Sequence, residues 1–430
     1  MPMSKKFEER LFPHLPAIAR EFKTPFHVYD EIGIEETGER LKNAFAGCLG
    51  FCEYFAVKAL PNPAILSIMH RLGFGFDCSS KIELELAREA GATPKEIMFT
   101  SNNTTQDEFR AAQADGGCVI NLDDVSLIAK VPEPFPEIIC FRLNPGKERT
   151  GNSIIGEPEK AKYGITWDQL ISAYRMANKR GETKFGLHTM VCSNERNYQY
   201  MVETVRMLLR ATLILHQELG ICLSFVNMGG GIGIPYIPGE HEEFDIEKLG
   251  QECELLFSNF AEDHNWLPKL YMESGRYMTG PHGVLVSRAI NRKDIYQTHI
   301  GVDAGMPALM RPAMYNAYHH ITVLDRDGKS RGTEQGTEIV NIVGSICENC
   351  DRLATDRELP KIQVGEGKGD FIVTHDTGAH GIAMGFNYNG RTRPKELLLR
   401  RNGTVELIRR AETDNDLRAT LRFEPKTLTL

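Results

Sequence analysis

The 430-residue chain sets 50 Lys and Arg against 58 Asp and Glu, for a net charge of −8, and 41% of it is hydrophobic. That length exceeds one ordinary core and calls for two domains, or for one large barrel with an appendage. The acidic balance, with no basic cluster, argues against a nucleic-acid surface and favours a small-molecule partner.

The first residues, "MPMSKKFEERLFPHL", offer no apolar h-region and no small-residue cleavage site, so no secretory leader is expected. The most apolar long run, "VRMLLRATLILHQELGICLSFV", is broken by Arg210, His216, Gln217 and Glu218, so no membrane span is expected either. Ten cysteines lie scattered singly rather than in a disulfide framework, which makes a reducing cytoplasm the expected location.

"PFHVYD" (25–30) is the first strand-like run, and it precedes a regular series. Eight apolar runs follow: "CEYFAVKA" (52–59), "FGFDC" (74–78), "IMFTS" (97–101), "CVIN" (118–121), "EIICFRLN" (137–144), "KFGLHTMV" (184–191), "LSFVNM" (223–228) and "KLYMES" (269–274). Helix starts lie between most of them. Asn62-Pro63 supplies an N-cap with proline at the first helical position, and Ser80 with Glu83 and Thr105 with Glu108 have capping-box spacing. Apolar strands alternating with helices indicate a parallel sheet covered on both faces, and eight of them suit a closed (β/α)8 TIM-type barrel. An open doubly wound sheet is the competing arrangement.

After about residue 281 the pattern changes. "GVLVSRAI", "IYQTHIGV", "HHITVL", "EIVNIVG", "DFIVTHD" and "VELIRR" are strand-like and separated by turns such as "DRDGKSRG" and "GEGKGD". The expected organisation is a barrel over 33–280 and a mostly antiparallel β domain built from 1–32 with 281–430, the "PFHVYD" run pairing into the latter.

Barrel enzymes carry their reactive groups at the C-terminal strand ends. Those ends hold Lys58, Asp77, His188 to Ser193, the turn "MGGGIG" and the stretch "ESGR". Gly229, Gly230 and Gly231 can present backbone N–H groups to a phosphate, with Arg276 as a further cation. A lysine on the same rim suggests pyridoxal phosphate, with Glu273 opposite a protonated pyridine nitrogen. Each piece has a plain alternative. The glycines can be a tight turn, the lysine can reach to solvent, and Glu273 can simply pair with Arg276. "SICENCD" (345–351) adds Cys347 and Cys350 at a spacing shared by redox pairs and zinc half-sites, but no further ligands of suitable spacing accompany them. His188 and Cys192, four apart on a strand, stand too far apart for one metal, and no metal site is expected. Cys48, Cys118, Cys222 and Cys253 read as small buried apolar residues, and His319-His320 as structural or solvent-exposed.

Seven stretches, in order over about residues 24 to 410, resemble fold-type III pyridoxal-phosphate decarboxylases. They are "YFAVKALPNPAIL", "GFDCSSKIELELA", "NMGGGIGIPY", "ESGRYMTGP", "VDAGMPALMRPAMYNAYH", "GSICENCDRLATDRELP" and "GDFIVTHDTGAHGIAMGFNYNGRTRP". The alanine racemase-like fold is therefore implied. Diaminopimelate decarboxylase is the branch that the chain resembles most, since ornithine decarboxylases lack the "RPxxY" stretch and carry Asp where this chain has Glu348.

The resemblance implies that Lys58 carries pyridoxal 5'-phosphate, with Asp77, His188, Met190, Ser193, Gly229, Gly230, Gly231, Glu273, Gly275, Arg276 and Tyr388 around it. It further implies that Arg276, Arg311 and Tyr315 hold a distal carboxylate, that Glu348 reads the distal ammonium and that Tyr388 touches the substrate. Cys347 would donate a proton at a neighbour's site, which implies a homodimer with shared active sites. The implied reaction is decarboxylation of meso-2,6-diaminopimelate to L-lysine, the last step of lysine biosynthesis. The chemistry is coherent, because arginine suits a carboxylate, a carboxylate suits an ammonium, and a thiol can supply the proton that replaces carbon dioxide.

The chain departs from the family at three places. The sixth strand reads "HTMVCSN" where the family has H-x-H-[IV]-G-S, so Met190 takes the position of a stacking histidine and Cys192 that of glycine. "ESGR" replaces E-P-G-R, and His380 replaces tyrosine in "GAH". These changes leave two further readings beside the first: a paralogue acting on another amino acid in a specialised pathway, or a non-catalytic cofactor-binding regulator.

Overall fold

The structure, a computed structural model, describes residues 3–151, 154, 156–181, 184–334 and 336–428. It divides into two units. The first comprises the described residues up to Gly33, then Tyr236–Pro238, then those from Gly280 on; the second comprises Ile34–Pro235 and Gly239–Thr279.

The second unit is a closed barrel of eight parallel strands. With β1 reserved for Phe26–Asp30 of the first unit, they are β2 (Cys52–Ala56), β3 (Gly75–Cys78), β4 (Ile97–Ser101), β5 (Val119–Leu122), β6 (Ile138–Leu143), β7 (Lys184–Thr189), β8 (Phe225–Asn227) and β9 (Lys269–Met272). Closure comes from β9 pairing back onto β2 through Cys52 with Tyr271 and Glu53 with Met272. The barrel, and not the open sheet, is thus the arrangement adopted. Each strand is shorter than or equal to its apolar run. The leftover residues at the C-terminal ends form turns that hold the candidate site residues.

Local sequence explains the helix starts. The Asn62 side chain accepts from Ala64 N at 3.0 Å ahead of helix Pro63–Arg71. Thr105 and Glu108 form the reciprocal pair, at 2.8 Å to Thr105 N and 3.3 Å to Glu108 N. The Ser80 box is shifted: Ser80 accepts from Glu83 N, but the Glu83 carboxylate takes Ser79 N at 2.6 Å. The long apolar run begins in helix Tyr198–Leu219, which buries one face and ends on left-handed Gly220, and its last residues enter β8. Among the described residues no helix is long and apolar enough to cross a membrane.

The first unit contains a nine-stranded, mostly antiparallel sheet. Its further strands are β10 (Gly283–Asp294), β11 (Thr298–Val302), β12 (Ile321–Leu324), β13 (Thr337–Val343), β14 (Arg352–Pro360), β15 (Phe371–Thr374), β16 (Lys395–Leu399) and β17 (Val405–Arg409). The "PFHVYD" run does pair into this sheet, antiparallel to β10 and parallel to β16. Alternation along β10 serves two cores. Val284 and Val286 join Phe7, Leu11 and Leu15 of the N-terminal helices, while Leu285 and Ala289 join Ile300, Ile321 and Ile342.

Two strands escaped the sequence reading. β14 is rich in charge, pairs with β13 through register shifts and contains Asp356 at φ +45°. β16 begins Lys-Glu, and Glu396 is fully buried there because Tyr29 donates to it at 2.6 Å and Arg409 pairs with its other oxygen. A buried, doubly satisfied carboxylate looks in sequence like a surface residue.

His27 of β1 is also fully buried. Its Nε2 donates to the Ala308 carbonyl at 3.2 Å and its Nδ1 lies 3.1 Å from the Thr377 hydroxyl, so the ring anchors the turn that precedes Arg311. Burial pushes its pKa down to about 4, against the opposing pull of Glu396. Below pH 6.5 the unfolded ring binds a proton that the folded ring refuses, so stability falls as pH drops towards 4. Between pH 7.5 and 5 the loss is about 2 kcal/mol. Urea midpoints at those two pH values should fall less for His27→Gln than for the unaltered protein; equal falls would show that His27 does not titrate this way.

Candidate active site

In the barrel unit, Lys58 stands on the 3-10 turn Val57–Ala59 directly after β2, and Asp77 is the third residue of the neighbouring β3. Lys58 Nζ lies 3.3 Å from Asp77 Oδ2, with the lysine side chain half-exposed and the aspartate buried. Asp77 holds the ammonium above its ordinary range, and Glu273 adds to this. Asp77 itself is raised to about 6, first by burial and then by repulsion from Glu273, with Lys58 and His188 opposing. Its Oδ1 is buried with no hydrogen-bond partner among the described residues.

Glu273 follows β9. Its carboxylate faces His188 Nε2 at 3.1 Å and accepts from Asn227 Nδ2 at 2.7 Å, and all three side chains are buried. Burial alone would raise its pKa. The His188 ring, Lys58 and the Asn227 amide outweigh that and hold the carboxyl below its ordinary value. Glu273 pairs here with His188, so the simple ion-pair alternative with Arg276 is not needed to explain it. His188 Nδ1 is left without a partner among the described residues.

The same strand end builds the glycine turn. Asn227 Oδ1 accepts from Gly229 N at 2.9 Å, and Gly229 O accepts from Glu273 N at 2.9 Å. Gly229 and Gly231 sit at φ +69° and +97°, a region that favours glycine. A Cβ at Gly229, Gly230 or Gly231 would lie 2.3, 2.1 or 2.4 Å from the carbonyl oxygen of Thr189, Glu273 or Cys192. The turn is thus packed against three neighbouring main chains, and any side chain would displace one of them. It is then continued by a bridge between Glu195 and Ile232.

Met190 Sδ accepts from Gly230 N at 3.3 Å, so the residue in the histidine position lies against the cradle. Cys192 is buried, 3.6 Å from Met201 Sδ, and burial pushes its thiol up to about 12, which makes it an inert packing group. Ser193 is half-buried on the same loop. After Glu273, the Ser274 amide donates to Glu53 Oε1 at 2.5 Å, a bond that proline at this position would lack. Gly275 passes close to Ala59, where a Cβ would meet it at 2.6 Å, and buried Arg276 opens the short helix Arg276–Thr279.

Three residues of this end were not singled out from the sequence. Asn227 directly precedes the glycine turn. Glu53, which burial raises well above the carboxylate range, and Arg142, 3.5 Å from Asp123, are charged residues inside apolar runs. A charge interrupting a buried strand was the available signal.

In the first unit, Arg311 opens helix Arg311–Tyr315 and is buried, whereas Tyr315 is 39% and Tyr388 53% exposed. Arg311 Nη1 donates to the Tyr236 hydroxyl at 2.7 Å and meets His319 Nε2 at 3.0 Å. Cys347 and Cys350 are both exposed free thiols, and Asn389 Oδ1 accepts from Cys347 N at 2.5 Å. Glu348 shares that exposed turn. One expectation needs correcting: Cys222 is exposed, 3.5 Å from His216, and Cys118 is only half-buried. Of the two places expected for His319 it takes the structural one, fully buried with a defined partner on each nitrogen. His380 stands at φ +56°, and nothing in the structure explains the histidine there.

Comparison with known proteins agrees with this geometry. The family "Pyridoxal-dependent decarboxylase, pyridoxal binding domain" matches residues 33–280. "Protein TabA" of Pseudomonas amygdali pv. tabaci is 43% identical over 99% of this chain and 97% of its own. The diaminopimelate decarboxylase of Methanothermobacter thermautotrophicus is 35% identical over 93% and 92%. The crystal structure of the M. jannaschii diaminopimelate decarboxylase superposes with a TM-score of 0.85 at 30% identity, covering 95% of this chain and 94% of that one. The chain belongs to the pyridoxal-dependent decarboxylases and is an amino-acid decarboxylase that uses pyridoxal phosphate.

The barrel residues fit that cofactor. A rim lysine, a glycine turn with no room for side chains, an ionised buried carboxylate and unpartnered polar atoms on Asp77 and His188 are what a polar, phosphorylated aldehyde requires. Gly230→Ala should weaken pyridoxal phosphate binding at least about tenfold in an absorbance titration, because the Cβ displaces the Glu273 carbonyl. Unchanged affinity would mean that the turn does not cradle the phosphate.

Proposed function

We propose that the protein decarboxylates meso-2,6-diaminopimelate to L-lysine and carbon dioxide. The observation that carries this reading is the conjunction of an ionised Glu273 beside Lys58 in the barrel unit with a buried Arg311 in the "RPxxY" stretch of the other. Relatives named for this activity match nearly the whole chain at 30–35% identity, which supports it.

When bound, the cofactor supplies an electron sink for the bond that releases carbon dioxide. Lys58 holds it covalently through Nζ. Gly229, Gly230, Gly231 and Arg276 bind its phosphate, while Asp77, His188, Met190, Ser193, Gly275 and Tyr388 line its position. Glu273, kept ionised by His188 and Asn227, holds a proton on the pyridine nitrogen. Arg311, Arg276 and Tyr315 grip the distal carboxylate of the substrate, and Glu348 with Tyr388 orients its distal ammonium. Carbon dioxide leaves from the other end, and the Cys347 thiol delivers one proton to that carbon. Net proton uptake is therefore one per turnover.

Cys347, Tyr315 and Tyr388 are all exposed in the single chain. This supports a homodimer in which a second copy covers them and Cys347 serves the partner's site. The barrel division at 33–280 and a cytoplasmic location belong to the same reading.

A second reading is favoured by two observations. The 43% identical relative carries a different name from the decarboxylases, and Met190 with Cys192 replaces the family's histidine and glycine. A paralogue acting on another amino acid in a specialised pathway would carry such changes at the cofactor while keeping Lys58. Incubation of the holoprotein with meso-diaminopimelate, D-ornithine, L-ornithine and L-lysine separates the two. The first reading expects equal amounts of lysine and carbon dioxide from diaminopimelate alone, abolished in Lys58→Ala. Carbon dioxide from another substrate only would establish the second.

A further inference from the structure

The cluster around Arg311 is more elaborate than anchoring one arginine requires. His319, two residues before β12, is fully buried. Its Nδ1 lies 2.8 Å from the His375 carbonyl, which can only accept, so Nδ1 carries the ring's proton. Nε2 therefore presents a lone pair, and the atom facing it at 3.0 Å is Arg311 Nη1. The ring is thus a neutral acceptor in one fixed tautomer, aimed at a guanidinium. A second proton on Nε2 would set N–H against N–H and cation against cation.

Tyr236 completes the clamp. Its hydroxyl accepts from the same Nη1 at 2.7 Å, its ring lies under the guanidinium at 4.7 Å, and it meets the His319 ring edge-on at 5.3 Å. The His319 carbonyl is in turn held by Arg357 Nη1 at 2.9 Å. All of these residues belong to the first unit, although Tyr236 reaches it as part of a three-residue excursion from the barrel sequence. A histidine buried only for packing would need both nitrogens satisfied; it would not need its acceptor spent on a cation.

We propose that His319, with Tyr236, is a specificity-determining positioning residue that fixes the plane of the Arg311 guanidinium for a carboxylate at the far end of the substrate. A guanidinium binds carboxylate through two parallel N–H groups, so its plane, and not only its charge, sets affinity. Two acceptors on one Nη1 remove the rotation that would blur that plane. The assignment rests on Arg311 reading a distal carboxylate, as in the function proposed above.

L-lysine, the product, keeps that carboxylate, and cadaverine is L-lysine without it, so this pair isolates the contact. In the purified holoenzyme, His319→Phe keeps a buried ring but removes both nitrogens. It should raise KM for meso-diaminopimelate about tenfold or more. The inhibition constant of L-lysine should rise with it, while kcat, the visible absorbance of the Lys58-bound cofactor and the inhibition constant of cadaverine should change less than about threefold. His319→Gln, whose amide oxygen can replace Nε2, should recover most of the loss, and Tyr236→Phe should raise KM in the same direction. An unchanged KM in His319→Phe, no recovery with glutamine, or an equal loss of cadaverine affinity would overturn the assignment while diaminopimelate turnover by the unaltered enzyme still stood. Absence of that turnover would remove the functional reading and this assignment with it.

Discussion

The barrel site depends on one buried ionisation, that of Glu273. A carboxylate with 7% exposure should be neutral, and it is kept charged because His188 and Asn227 both point donors at it. The same residue ties the site together through its main chain. Its N–H binds Gly229, and its carbonyl occupies the space that a side chain on Gly230 would need. In the proposed reading, the electron-withdrawing end and the phosphate end of the cofactor are therefore both positioned by one short piece of chain after β9. Lys58 and Asp77, from the next pair of strands around the barrel, form an ion pair on the same rim and in the proposed reading supply the covalent anchor and its counter-charge.

The architecture makes this arrangement inexpensive. Eight parallel strands end on the same rim, so residues distant in sequence converge without long loops. His188, Asn227 and Glu273 lie on or just after β7, β8 and β9, three consecutive strands, and β9 closes back onto the strand that precedes Lys58. Met190 follows β7 and rests on the Gly230 amide. Methionine can occupy the place of a stacking ring through its polarizable sulfur, but it cannot donate a hydrogen bond. In the proposed reading the chain thus keeps the charged framework of its family and alters one contact with the cofactor face.

Much of this was legible in the sequence because each signal was local. Apolar runs marked all eight barrel strands, and the helix starts at Asn62 and Thr105 formed as their spacing indicates. What escaped depended on partners far away in the chain. Glu396 in β16 reads as surface until Tyr29 and Arg409 are placed beside it. β14 reads as charged loop because its register is irregular. Glu53 looks misplaced in an apolar strand until the Ser274 amide is seen to meet it, and that amide exists only because serine stands where proline is usual. His319 reads as one of two adjacent histidines, structural or solvent-exposed, until Arg311 and the His375 carbonyl fix its two nitrogens.

The central claim is that Glu273 is ionised and holds a proton on the pyridine nitrogen of the cofactor. The nitrogen chemical shift of pyridoxal phosphate labelled with 15N in the ring, bound to the purified protein, reports that proton directly. The expected result is a pyridinium shift in the unaltered protein that moves to the neutral-pyridine range in Glu273→Gln. A neutral-pyridine shift in the unaltered protein, or a pyridinium shift that survives Glu273→Gln, would contradict it.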